Sequence, residues 1–116
     1  MSAGETLIRN AYTAFNRRDA AAALSTMRGD VWWADGEGGM LHGREAVGSH
    51  WSEQWRASDV TIEPIRFRGT PDDRIAVDVR VTTRPREGAA GPRDRVIQNI
   101  FAFKDGLIER MEIPDV

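Results

Sequence analysis

The dominant hydrophobic period of the chain changes near residue 58, and that change constrains the fold more than any other feature. Before it, apolar residues recur at i, i+3, i+4 and i+7, the period of helices with one buried face. After it, they alternate with polar residues, the period of strands with one buried face. Helices followed by a run of strands predict an α+β domain with an antiparallel meander, because a βαβ sheet needs the two periods to interleave. The 116 residues suit a single domain over 1–116. A chain of this size hides roughly two-thirds of its unfolded surface, enough for a core without staples.

Leu7, Ile8, Ala11, Tyr12 and Phe15 make one apolar stripe and predict a helix over about 5–17. Asp19 can cap a second, shorter helix with Ala20, Ala23, Leu24 and Met27 inside, and Arg28-Gly29-Asp30 should end it. Val31 to Asp35 and Met40 to His42 read as short extended runs about the turn Gly36-Glu37-Gly38-Gly39. Val47, His50, Trp51, Gln54 and Trp55 place a third helix over Arg44–Arg56. Val60 and Ile62 alternate in one phase and Ile65 and Phe67 in the other, which predicts a bulge at Glu63-Pro64. Ile75, Val77, Val79 and Val81 alternate cleanly, and Arg86 to Pro92 reads as a flexible loop. Arg95 to Phe103 is apolar on both faces, and Asp105-Gly106 is a hairpin turn into a last strand, Leu107 to Ile113. A strongly bent sheet with helices on its concave side would leave a cavity at its wide end.

Composition narrows the function classes. Sixteen basic and eighteen acidic residues are interspersed, so no net field draws the chain to nucleic acid or an anionic membrane. No apolar run reaches membrane-spanning length. The opening Met1-Ser2-Ala3-Gly4-Glu5 has no basic stretch followed by an apolar one, so no signal peptide is expected. The absence of cysteine excludes disulfides and thiolate metal sites and suits a reducing cytoplasm. His42 and His50 are the only histidines and lack metal-ligand spacing, so neither a metal nor an organic cofactor is expected. No phosphate loop or nucleophile triad is present.

Four segments carry a family likeness. Ala14-Phe15-Asn16-Arg17-Arg18-Asp19, then Asp30 to Asp35, then Gly39-Met40-Leu41-His42-Gly43-Arg44-Glu45-Ala46-Val47, and finally Phe101 to Ile108 resemble the SnoaL-like, or nuclear transport factor 2-like, pattern in order and spacing. The resemblance covers nearly the whole chain. It implies a cystatin-like cone, a curved and mainly antiparallel sheet wrapped around N-terminal helices, usually dimeric. The superfamily holds ketosteroid isomerases, polyketide cyclases, dehydratases and epoxide hydrolases beside plain binding domains, so the fold does not choose among them.

By that resemblance Asp35 is similar in position to the general base of ketosteroid isomerases. Beside a tryptophan-rich wall, desolvation would raise its pKa toward neutrality. The handling of carboxyl groups in that enzyme is a standard illustration of pKa tuning. The structural alternative is an Asx turn with Gly36. Asn99 resembles the oxyanion-stabilising acid of the same enzymes, since its NH₂ can donate; the alternative is an amide that ties the sheet together. The isomerases' oxyanion tyrosine falls at Ala11 in this register, and Tyr12, about 100° further round the helix, is read as directed elsewhere. The epoxide hydrolase pattern is not matched, since Asp78-Val79-Arg80 runs in the reverse order. Lining is expected from Tyr12, Phe15, Trp33, Met40, Trp51, Trp55, Ile97, Phe101 and Met111, with one of Trp32 and Trp33 facing inward. Val96, Gln98, Ile100 and Ala102 share an outer strand face that needs cover. With the same demand read into Val77, Val79 and Val81, this predicts a homodimer through the sheet. The expected function is a pocket for a small, mostly apolar molecule, with cofactor-free isomerase, cyclase or dehydratase chemistry at Asp35. The rival is a non-catalytic dimeric ligand-binding or association domain.

Overall fold

A computed structural model describes residues 2–88 and 91–114. Helix α1 (Ala3–Asn16) starts where the Ser2 hydroxyl accepts from the Glu5 N–H at 3.1 Å. It buries Ile8, Ala11, Tyr12, Ala14 and Phe15. Helix α2 (Ala20–Leu24) is capped by Asp19, whose carboxylate accepts from the Ala22 N–H, as its position after Arg18 predicts. The helix stops at Ser25, earlier than expected. Met27 and Gly29 belong to strand β1 (Met27–Ala34), so Gly29 is no left-handed cap. The chain turns instead at Ser25 and Thr26, whose hydroxyls bond back to Ala22 and Ala23 carbonyls. That local exchange ends a helix without glycine.

Strand β2 (Met40–His42) pairs antiparallel with β1 and leads through Gly43 (φ 91°) into α3 (Arg44–Ala57). The Arg44 guanidinium donates to the Met27 carbonyl and fixes α3 against β1. Strands β3 (Ser58–Gly69), β4 (Ile75–Pro85), β5 (Arg93–Lys104) and β6 (Leu107–Glu112) then form the antiparallel meander. Asp105 (φ 55°) and Gly106 (φ 79°) make the tight turn between β5 and β6. The six-stranded sheet has the order β2-β1-β6-β5-β4-β3, and β1 against β6 is its one parallel pair among the described residues. The predicted bulge lies one residue further on. Register shifts between Pro64 and Arg66, leaving Ile65 as the extra residue. Part of the loop predicted over 86–92 lies outside the described residues.

The segment around Asn16 and Arg18 fastens helix to sheet. The Asn16 side chain donates to the Ile62 carbonyl at 2.8 Å and accepts from the Ile62 N–H at 2.9 Å, so it pairs with β3 as a strand residue would. Arg18, at φ 61°, reaches the Val60 carbonyl at 2.8 Å and the Asp59 carboxylate. The core sits between the helices and the concave sheet face, centred on Ile8, Phe101, Ile108 and Met27. Val77, Val79 and Val81 face this core, opposite Asn99, Ile97 and Arg95, and are buried. The outer-face demand read into them is met by the helices instead. The convex face carries Val96, Gln98, Ile100 and Ala102, as the alternation predicts, and Val96 remains 58% exposed. Charges share that face: Arg66 and Arg68 approach Asp78, and Arg74 and Arg110 approach Glu112. No described helix is long and apolar enough to cross a membrane.

Candidate functional site

A recess opens between α1, α3 and the concave sheet, with a cavity volume of about 90 Å³ beneath a wider mouth. Its mostly apolar wall with a few polar groups is that of small-molecule sites. Of the residues named from sequence, Tyr12, Phe15, Trp33, Trp51, Ile97 and Met111 line it. Trp33 is the inward member of its pair, because successive strand residues face opposite ways. Trp32 is 39% exposed and stacks on His42, its partner across β1 and β2, with ring centres 3.9 Å apart.

Three expected lining residues lie elsewhere. Met40 is exposed and borders a separate recess beside Gly38, Gly39 and Arg110. Phe101 is fully buried behind the wall, edge-on to Tyr12 and Trp33. Trp55 packs outside Phe15 and Trp51 and under the Arg18 guanidinium. For Phe101 and Trp55 the face was read correctly and the depth along it was not; Met40 lies on the outward face of β2, opposite Leu41, which pairs with the inward Trp33. Sequence reasoning missed His50 and Gln54 on α3, and Val60, Ile62, Val81 and Arg95 on the sheet. His50 and Gln54 share the helical stripe of Trp51, and Arg95 shares the strand phase of Ile97 and Asn99; those spacings were the available signal.

The closed end holds one polar pair. Asn99 on β5 is 4% exposed and Tyr12 on α1 is 3% exposed. The Asn99 Nδ2 donates to the Tyr12 Oη at 2.9 Å. Tyr12 therefore points inward, contrary to the reading from its helical angle. An apolar stripe spans roughly 100°, so adjacent positions such as Ala11 and Tyr12 both face the same recess. Burial pushes the Tyr12 phenol well above its ordinary value, and the bond from Asn99 offsets only part of that. The group is a neutral donor at any physiological pH. One N–H of the Asn99 NH₂ serves Tyr12 and the other is left to donate, while its Oδ1 is buried without a partner. An unmet buried acceptor costs about 1–3 kcal/mol, which a molecule in the recess can relieve.

The rim holds Asp35, Gly36, His50, Gln54 and Arg95. Asp35 follows the last residue of β1, so the strand carries it to the mouth. Its Oδ1 accepts from the Glu37 N–H at 2.7 Å and the Gly39 N–H at 3.0 Å. Those two backbone donors hold the carboxyl below its usual range, and His50 adds a smaller pull in the same direction. This corrects the expected upward shift, because the turn donors outweigh the desolvation supplied by a half-exposed rim. The bond to the Glu37 N–H closes an Asx turn with Gly36 at its centre, the structural alternative, and Gly39 adds a second donor. Among the described residues no three histidine or carboxylate side chains converge to hold a metal ion.

Solved structures share this architecture. A nuclear transport factor 2-like protein of unknown function from Burkholderia pseudomallei is 23% identical, with a TM-score of 0.84 over 98% of this chain and 91% of that one. A polyketide cyclase candidate from Pseudomonas putida is 23% identical, with a TM-score of 0.82 over 100% and 92%. A protein of ketosteroid isomerase-like fold from Catenulispora acidiphila, in complex with trimethylamine, is 13% identical, with a TM-score of 0.82 over 94% and 84%. At such identities the likeness concerns the fold. No curated protein matches the chain significantly. The SnoaL-like domain family matches residues 8–111, nearly the full length and every element that builds the recess. The chain belongs to the SnoaL-like domain family.

Proposed function

We propose that this protein takes a small, mostly apolar carbonyl compound into the recess and transfers a proton on it without a cofactor. The observation that carries this reading is the buried Tyr12–Asn99 pair at the end of an apolar recess whose mouth holds a carboxylate. Tyr12 accepts from Asn99, so its own O–H is free to donate to a ligand carbonyl. A donor at the closed end stabilises negative charge that develops on that oxygen. Asp35 is the base. Its lowered pKa makes it a weak one, so it suits a C–H already acidified by its neighbours, such as one between two carbonyls or beside an aryl ring. Isomerase and cyclase steps begin with such a proton removal. A homodimer joined through the convex sheet face around Val96 and Ile100 completes the proposal.

A second reading is favoured by one observation. The two backbone bonds on Asp35 are those of an ordinary turn, and a purely structural Asp35 would leave a non-catalytic binding domain. Deuterium uptake at the α-carbons of 2-tetralone, followed by proton NMR, separates the two. On the catalytic reading the protein accelerates uptake, and Asp35→Asn loses about 10²–10⁴ of that acceleration while 2-tetralone still binds. Binding without acceleration, or acceleration unchanged in Asp35→Asn, assigns the binding-domain reading.

A further inference from the structure

The polar pair at the closed end is self-complementary and leaves a remainder. With one N–H of Asn99 Nδ2 donating to Tyr12 Oη, the unused groups are the Tyr12 O–H and the second amide N–H, both donors, and the Asn99 Oδ1, an acceptor. Turning the amide over exchanges the roles: Tyr12 then donates to Oδ1, and the two amide N–H groups and a phenol lone pair remain. Either way the recess presents an acceptor beside its donors. The surrounding wall offers nothing to satisfy them, since Ala11, Phe15, Val60 and Met111 are apolar and buried. Val77, opposite Asn99 on β4, is fully buried. An oxyanion alone would engage the donors and leave the acceptor facing a negative charge.

We propose that the ligand of this recess carries a carbonyl oxygen and a neutral hydroxyl on adjacent carbons, the carbonyl bonded to Tyr12 and the hydroxyl to Asn99. This rests on the reading of the recess as a small-molecule site and narrows its substrate class from ketones in general to α-hydroxy carbonyl compounds. The flat aromatic and aliphatic walls, Trp33 and Trp51 on one side and Ile97 and Val81 on the other, suit a planar ring bearing that pair.

Calorimetric titration of the intact protein with three probes tests it. Tropolone has the adjacent carbonyl and hydroxyl. 2-Methoxytropone keeps the ring and carbonyl and lacks the donor. 2-Tetralone has a carbonyl alone and reports on the recess itself. At a pH where its hydroxyl is protonated, tropolone is expected to bind at least about tenfold tighter than 2-methoxytropone, because a site built to accept a hydrogen bond rejects the analogue that lacks it. In Asn99→Leu the ratio should fall to near one, with 2-tetralone still bound and far-ultraviolet circular dichroism unchanged. Equal affinities in the native protein, as when a water satisfies Asn99, overturn the proposal and leave the pocket reading standing. So does a preference that survives in Asn99→Leu. Failure of all three probes to bind removes the pocket reading and the proposal together. The native comparison needs no variant, so an Asn99→Leu protein that does not fold leaves the test intact.

Discussion

The Asp35 carboxylate has two backbone donors on one oxygen, and its other oxygen packs against Gly39 so closely that a Cβ there would stand 2.6 Å from Oδ2. A side chain at 39 would therefore displace the Asp35 carboxylate, a steric conflict and not one of unusual φ. Carbon-13 NMR titration should place the Asp35 pKa below its usual 3.8, and Gly39→Ala should move it upward by dislodging the carboxylate. A native pKa at or above the usual value would contradict this account. The sign for stability follows from the lowered folded pKa: the turn's contribution is fully present above the unfolded pKa and is lost as pH falls through the folded one. Sequence alone put Asp35 at a strand end beside a tryptophan-rich wall and misjudged its electrostatics. The two N–H groups that set its pKa belong to backbone, whose direction depends on the loop conformation and leaves no trace in residue types. Asn99 was identified as a polar residue on an apolar strand face. Its partner Tyr12 was expected in the lining but not as a hydrogen-bonding group, because helical angle from a neighbouring residue is a weaker guide than the width of the buried stripe.

Elements were predicted best where the period is long and regular, as in α1, α3 and β4. Boundaries failed where side chains compete with the backbone. Ser25 and Thr26 end α2 through their hydroxyls, and Met27, which fits the helical stripe, begins the strand instead. The contact between α1 and β3 gives the Asn16-Arg17-Arg18-Asp19 segment its physical meaning, since Asn16 and Arg18 occupy backbone groups of Ile62 and Val60 that no neighbouring strand pairs with. β3 is the edge of the sheet, and this clamp covers part of that edge. Asn16→Ala removes two bonds at an exposed site, so urea denaturation should register a loss of about 1–3 kcal/mol, from roughly 0.5–1.5 per bond. Asn16→Asp should lose less, keeping the acceptor for the Ile62 N–H. Equal stability of Asn16→Ala and the native chain would mean that the clamp contributes nothing.

The sheet closes around the helices on one side and leaves the other to solvent or to a second copy. The convex face mixes the apolar Val96, Ile100, Ala76 and Ala102 with the ion pairs of Asp78 and Glu112. Covering it in a two-fold dimer would bury the apolar members and bring the charged rims together. Light scattering at micromolar concentration is expected to give the mass of a dimer, and Val96→Glu with Ile100→Arg the mass of a monomer. A monomeric native protein would remove the assembly from the proposal without touching the recess. The central claim concerns the concave side, that the space between α1, α3 and the sheet receives a small apolar molecule. Methyl-labelled NMR with 2-tetralone tests it most directly. The account predicts shifts confined to Val60, Val81, Ile97 and Met111 within the recess, with Ile65, Val96 and Ile100 outside it unmoved. Shifts on the convex-face methyls alone, or none up to the solubility of the ketone, would contradict it.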